Sequence, residues 1–275
     1  MKRCVDIWPG LARRSSVCLA AAGVLLGCNL ARVDGPSAID PPAPGTVVSS
    51  WTAIAPGIER REMVLPVASA SAQGTALVVR ADPTLAALRV HYSPGAARSL
   101  GEWQRALPDA GVIVNGAFFD EADRALGLIV SDGQPYGQSF IGFGGMLEVD
   151  AAGARVRSLV SSPYQGEPLW QAVQAFPMLI EQGGVLAPQG DGFDQRSRRT
   201  WIGQDRVGRI IFGVTHNLIT LADLQAWLLA SDLDLAAAFA LDGGRSTGLV
   251  IQTLSHQENY PALDRLPSVV ALYPP

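Results

Sequence analysis

Cysteine is scarce in this 275-residue chain: only Cys4, Cys18 and Cys28 occur, all within the first 28 residues. Beyond that point the chain has no disulfide, no cysteine nucleophile and no thiolate metal site to draw on. Histidine is equally sparse, and His91, His216 and His256 are too scattered to suggest zinc. Of the three, only His216 falls near the motifs discussed below. The apolar run Val17 to Leu26 is too short to anchor the chain by crossing a bilayer. Positive charge is also in deficit. Residues 1–27 hold four basic residues and one acidic residue, so their removal moves the balance from 21 against 25 to 17 against 24, a net charge of -7. Scattered arginines on a chain of that sign lack the basic stripe that releases counterions from phosphates, which argues against a nucleic-acid partner.

What is present begins with an export signal. In "MKRCVDIWPGLARRSSVCLAAAGVLLGCNL", Lys2, Arg3, Arg13 and Arg14 form a positive leader, followed by the short apolar run and "LLGC". That ending resembles a bacterial lipobox. The resemblance implies cleavage before Cys28, lipid attachment at Cys28, and a bacterial cell-envelope protein anchored to a membrane and facing the periplasm or the exterior. Residues 1–27 are then signal peptide. Residues 28–50, rich in proline, glycine and serine without a sustained period, read as a flexible tether. The remainder, 51–275, is long enough for one domain with a sizeable core.

Short apolar or alternating runs dominate that remainder, among them "ALVVRADP", "GVIVNGAFF", "WIGQDRVGRIIFGVTH", "AAAFALDGG" and "SVVALYP". Turn residues separate them, and Asp150–Gly153, Gln182–Gly184 and Asp205–Gly208 read as hairpin corners. Helices are fewer. "TLADLQAWLLASD" offers Thr220 as a cap, Asp223 three residues on, and Leu221, Leu224, Trp227 and Leu228 on one face. A second is expected over Ser99 to Leu107. The pattern predicts an α+β fold: a single domain with a large mixed, mainly antiparallel sheet and a few covering helices.

The most loaded segment is "FALDGGRSTGLV", Phe239 to Val250, with a carboxylate, two glycines, an arginine and two hydroxyls directly after an apolar run. Gly244-Arg245-Ser246-Thr247-Gly248 matches G-x-S-x-G, but a nucleophile elbow needs a helix after the turn, and "LVIQTL" reads as a strand. An anion cradle fits better, since consecutive glycines expose N–H groups and Arg245 adds charge. Asp242 opposes that anion unless it acts on another atom of the substrate. A sugar carbon bonded to a phosphate meets that condition.

"NGAFFD" (Asn115–Asp120), "FPMLIEQGG" (Phe176–Gly184), "RRTWIGQDRVGRIIF" (Arg198–Phe212), "TLADLQAWL" (Thr220–Leu228) and "LDGGRSTGL" (Leu241–Leu249) occur in the order seen in phosphodiester glycosidases. The chain resembles that family from about Trp51 to Pro275. The resemblance implies hydrolysis of the sugar C1–O bond in glycosyl phosphodiesters such as N-acetylglucosamine-1-phosphodiesters, with a carbohydrate phosphodiester as partner. Carried over residue by residue, it implies Asp242, Glu181 and Asn115 as catalytic residues. It also implies Arg199, Thr200, Gly116, Gly243, Gly244, Arg245, Ser246 and Thr247 as substrate contacts. The "NGAFF" stretch departs from the family pattern, having alanine where a further glycine is common. Because the leaving phosphate monoester needs little protonation, electrostatics is expected to outweigh acid catalysis, with inversion and retention both open.

Each residue also has a structural reading. Asn115-Gly116 can simply turn a strand, Asp242 can be a hairpin corner, Arg199 can pair with Asp194 at a strand end, and Glu181 can belong to a hairpin turn. No cofactor is expected. "DEADRALG" from Asp120 and "DGFD" from Asp191 hold oxygen ligands that calcium could use, without the spacing of a known calcium loop. Two rival functions remain: a lipid-tethered glycan-binding protein without turnover, and a metal-dependent phosphodiesterase that cuts the phosphorus–oxygen bond.

Overall fold

The computed structural model describes residues 49–65 and 74–275. The signal expected over residues 1–27, the lipid site Cys28 and the tether up to Val48 lie outside the described residues. In chain order the elements are β1 (Thr52–Ala55), β2 (Ile58–Leu65), β3 (Gly74–Ala81), β4 (Ala87–Tyr92), α1 (Leu100–Ala106), β5 (Val112–Asn115), β6 (Ile129–Ser131) and β7 (Gln134–Tyr136). Next come β8 (Gly145–Asp150), β9 (Gly153–Ser158), β10 (Gln171–Ala175), β11 (Met178–Glu181), β12 (Val185–Leu186), β13 (Thr200–Asp205) and β14 (Ile210–Thr215). The chain ends with α2 (Leu221–Ala230), β15 (Leu235–Ala240), β16 (Leu249–Gln252), β17 (Gln257–Tyr260) and β18 (Ser268–Tyr273).

The strands form an eight-stranded sheet in the order β1-β2-β3-β14-β13-β15-β11-β12 and two five-stranded sheets, β7-β6-β10-β8-β9 and β17-β16-β5-β18-β4. The described ladders are antiparallel. The α+β, mainly antiparallel reading stands, with the strands shared among three sheets. The period of two explains the layering. Leu77 and Val79 of β3 enter a central core with Val90, Val114, Leu147, Val173, Phe212 and Phe239, drawn from all three sheets. Their neighbours Ala76 and Val78 point the other way, into a second core beneath α2.

The two helices close outer faces, and both start at caps. The Thr220 hydroxyl accepts the Asp223 N–H at 2.9 Å, and Leu221, Leu224 and Leu228 are buried against Trp201, Ile211 and Ala238. Each buried leucine contributes about 2 kcal/mol. Ser99 and Glu102 form a reciprocal capping box on α1, whose Leu100 and Trp103 pack on Ile113, Val250 and Val269. The expected hairpins are present too: Asp150 faces Gly153, β11 turns into β12 through Gly183 and Gly184, and β13 turns into β14 through Gly208. These ladders also set the geometry of the functional end. Within the large sheet, β15 ends between the starts of its two neighbours β13 and β11, because Trp201 faces Ala240 on one side and Met178 faces Phe239 on the other.

Candidate active site

Beyond β15, Leu241 donates its N–H to the Thr200 carbonyl at 2.9 Å, and the chain enters the loop that begins with Asp242. A single 3-10 turn, Gly244–Ser246, leads into strand β16 rather than a helix, so the elbow geometry of a serine hydrolase is not formed. Asp242 itself is half-buried.

Asn115, at the end of β5, is fully buried and organises the loop from inside. Its Nδ2 donates to the Asp242 carbonyl at 2.7 Å, while its Oδ1 accepts the Thr200 hydroxyl at 2.8 Å and the Gly248 N–H at 3.1 Å. One amide thus joins the start of β13 to both ends of the Asp242 loop. With these bonds made and no exposure, Asn115 and Thr200 position the loop from behind. Gly116 is needed for close approach: a Cβ there stands 2.3 Å from Ser268 Oγ and 2.9 Å from the Ser268 carbonyl oxygen. Gly244 sits at φ +63, the left-handed region that disfavours a side chain.

The loop spends many of its own donors. Asp242 N–H points to Gly116 O at 3.4 Å, Gly244 N–H to Arg198 O at 2.8 Å, and Ser246 N–H to Gly243 O at 3.2 Å. These groups do not form the anion cradle that the glycines suggested. Thr247 is fully buried, and its hydroxyl makes no hydrogen bond among the described residues. Ser246 is buried as well.

Positive charge comes from β13's approach. Arg199 Cδ lies 3.9 Å from the position of a Cβ on Gly243. Its guanidinium donates to the carbonyls of Ile219 (3.2 Å) and Gln195, and no carboxylate pairs with it among the described residues. Burial pushes Arg199 below the ordinary guanidinium value, the sign of a desolvated charge. Arg198, which the sequence motifs did not single out, donates to the carbonyls of Gly244 (3.0 Å), Pro261 (3.3 Å) and Arg245 (3.4 Å), and lies over the Tyr260 ring at 5.2 Å. Tyr260 in turn lies 4.7 Å from the His216 ring, whose Nδ1 meets Thr75 Oγ1 at 2.7 Å. Arg245 is exposed and paired with Asp264 at 2.7 Å, so its charge is partly compensated.

Glu181 is not brought to this place. Ile180 faces Ala238, so Glu181 lies toward the opposite end of β15, separated from Asp242 by at least four residues of strand, about 13 Å. Its backbone belongs to the β11–β12 hairpin, where its carbonyl accepts the Gly184 N–H at 3.0 Å. The acidic loop at Asp120 is tied to its own Arg124 at 2.8 Å. Among the described residues, no three His, Cys, Asp or Glu side chains are grouped to hold a metal ion. A surface cavity of about 570 Å³ also lies away from Asp242, lined by Ile54, Glu59, Asp82, Leu85 and Arg209.

On the other side of β15 the wall is aromatic. Phe176, whose neighbour Pro177 accepts the Ala240 N–H at 2.9 Å, stacks on Phe118 with ring centroids 4.7 Å apart. Phe140 and Phe143 stack at 4.7 Å and meet the Phe176 ring edge-on at 5.5 and 5.7 Å. Phe118 and Phe176 both lie inside "NGAFFD" and "FPMLIEQGG", where the polar residues had drawn the chemical reading.

Comparison with known proteins agrees with this architecture. The catalytic domain of zebrafish N-acetylglucosamine-1-phosphodiester alpha-N-acetylglucosaminidase superposes with a TM-score of 0.63 at 20% identity, covering 86% of this chain and 91% of that one. A hypothetical protein from Synechocystis gives 0.61 at 15% identity over 80% of this chain and 62% of that one. A protein from Burkholderia pseudomallei described as exported gives 0.53 at 13% identity, over 75% of each chain. At these identities the likeness establishes the fold. A search of curated proteins finds no match. The phosphodiester glycosidase family model matches residues 108–273. That span takes in β5, the Arg198–Thr200 approach and the whole Asp242 loop, and the chain belongs to the phosphodiester glycosidase family.

Proposed function

We propose that the protein hydrolyses the sugar C1–O bond of glycosyl phosphodiesters in cell-envelope or extracellular glycans. The observation that carries this reading is the half-buried Asp242 on a loop whose next residue, Gly243, packs against the side chain of Arg199, a desolvated guanidinium with no carboxylate partner among the described residues. An uncompensated charge of this kind suits an anion that brings its own negative charge. Arg199 holds the phosphate oxygens, and Asp242 faces the sugar carbon that gains positive character as the C1–O bond breaks. The electron pair leaves with the phosphate monoester, and water supplies the oxygen that replaces it at C1. Asn115 and Thr200 position the Asp242 loop; Glu181 has no part in the reading.

The same proposal includes export and lipid attachment at Cys28. It is supported by the "LLGC" ending and by the exported description of the Burkholderia protein. No helix among the described residues is long and apolar enough to cross a membrane.

The test is release of sugar and phosphate monoester from N-acetylglucosaminyl phosphodiesters by wild type and Asp242→Asn, with and without EDTA. Cleavage at the sugar carbon that survives EDTA and falls at least about a hundredfold in Asp242→Asn supports the reading. Saturable glycan binding without turnover transfers the protein to the binding class. EDTA-sensitive cleavage at phosphorus transfers it to the metal-dependent phosphodiesterases.

A further inference from the structure

We propose that the aromatic wall formed by Phe118, Phe140, Phe143 and Phe176 is the sugar subsite, and that it takes a pyranose ring by its apolar C–H face. The proposal rests on the phosphodiester glycosidase reading and names where its two halves bind. The strand register fixes the layout: β15, which leads to Asp242, has the Arg199 approach to β13 on one flank and the Phe176 approach to β11 on the other. The flanks are two interstrand spacings apart, about 10 Å, comparable to the length of a pyranosyl phosphate.

The two flanks differ in chemistry as the two halves of such a molecule do. One flank carries Arg198 and Arg199, held by backbone carbonyls. The other carries a cluster of four phenylalanine rings, Phe140, Phe143 and Phe176 in mutual contact and Phe118 stacked on Phe176. The phosphate therefore belongs with the arginines and the neutral ring with the phenylalanines, which leaves the bond between them over Asp242. A pyranose presents C–H groups on one face and hydroxyls around its rim, so an aromatic wall binds its face while leaving the rim to polar contacts.

The wall is built to be rigid and open. Gln174 is fully buried, and its Oε1 accepts the N–H groups of Phe140 at 2.9 Å and Leu128 at 3.2 Å. Its Nε2 donates to Ser139 Oγ at 2.8 Å, so one side chain pins the segment from which the wall rises. Such support holds a binding surface in place before a ligand arrives. Ile141 and Phe143 nevertheless stay exposed, at 87% and 47%. A patch of apolar side chains left in water beside a polar site is the feature expected of a ligand contact.

The test uses the full-length protein, with calorimetric titration of methyl pyranosides, inorganic phosphate and a long-chain alkyl phosphate, together with steady-state cleavage of a glycosyl phosphodiester. In Phe143→Ala, pyranoside affinity is expected to fall about fivefold to tenfold, KM to rise by a similar factor, and phosphate affinity to stay unchanged. Phe143→Tyr keeps a ring at the position and is expected to restore pyranoside binding. Unchanged pyranoside affinity in Phe143→Ala overturns the subsite, even if wild type cleaves phosphodiesters as proposed. Loss confined to the alkyl phosphate also overturns it, by assigning the wall to an aglycone. If wild type neither cleaves phosphodiesters nor binds phosphate, yet pyranosides bind through Phe143, the sugar subsite stands and the phosphodiester reading falls.

Discussion

The two ends of β15 are made from the same residue types and do opposite things with them. At the far end, the β13–β14 hairpin and its neighbour Asp234 combine Asp, Arg and Gly into closed pairs. Arg209 meets Asp205 at 2.6 Å, Arg206 meets Asp234 at 3.0 Å, and Asp205 Oδ1 also accepts the N–H groups of Val207 and Arg209. At the near end, Asp242, two glycines and three arginines meet, but Arg198 and Arg199 are held by carbonyl oxygens, which carry no net charge. A turn satisfies its charges internally, whereas a site leaves some for a ligand. Burying a charge such as Arg199, which pairs with no carboxylate among the described residues, is costly, and its retention supports the proposal that the near end is the functional one.

The sharpest way to break this comparison is to remove the amide that holds the near end together. Asn115→Ala deletes three hydrogen bonds and strands the Thr200 hydroxyl and the Gly248 N–H in the interior. At about 1 kcal/mol per bond, the loss is about 3 kcal/mol. Thermal denaturation should show a fall of roughly 6 to 12 °C for a domain of this size. Turnover should fall with it even at temperatures where the variant is fully folded, because the Asp242 carbonyl has lost its tether. A stable variant with normal turnover removes Asn115 from the positioning role.

Next in size is the charge contrast itself. Arg199→Ala is expected to raise KM for a phosphodiester at least tenfold, since hydrogen bonds to charged groups contribute about 1.5 to 3 kcal/mol. Arg206→Ala, which opens an exposed pair with Asp234, is expected to leave KM unchanged and stability within about 1 kcal/mol. The pair of variants is read by steady-state kinetics at two salt concentrations, because the Arg199 contribution to binding an anion weakens as salt rises. Equal effects from the two arginines erase the distinction between the ends.

How much of this was legible in the chain depended on distance along it. Local features were: Thr220 and Asp223 announce α2, glycines at 153, 183, 184 and 208 announce hairpins, and the two-residue alternation of β3 announces a strand between two cores. The family resemblance carried by the ordered motifs implied one cleft for Asn115, Arg199, Glu181 and Asp242. The fold brings Asn115 to the Asp242 carbonyl and Arg199 to Gly243, and leaves Glu181 toward the other end of β15. What the motifs did not give was direction. Asn115 and the Asp242 carbonyl are 127 residues apart, and only their bond shows that the amide faces inward. Phe118 and Phe176 are likewise remote in sequence, so their stacking depends on which strands become neighbours. Burial also separates Arg199 from Arg245: both follow the motif, but one is desolvated and the other pairs with Asp264 at the surface.

The smallest expected effect tests the least local of these inferences, the strand register. Glu181 follows "FPMLI" closely enough to suggest a carboxylate lining the same cleft as Asp242. In the sheet, however, β11 runs antiparallel to β15, so each residue after Met178 moves away from the Asp242 end. A second carboxylate takes part in glycoside cleavage only within reach of the same sugar carbon, and about 13 Å of strand denies Glu181 that reach. Glu181→Gln should therefore change kcat and KM less than twofold, and its half-buried setting in a hairpin turn limits the stability change to about 0.5 kcal/mol. A loss of a hundredfold or more in kcat from this conservative change would mean that β11 presents its other end to the substrate. The aromatic wall would then move with it, since Phe176 lies just before the start of β11 and Glu181 is its last residue.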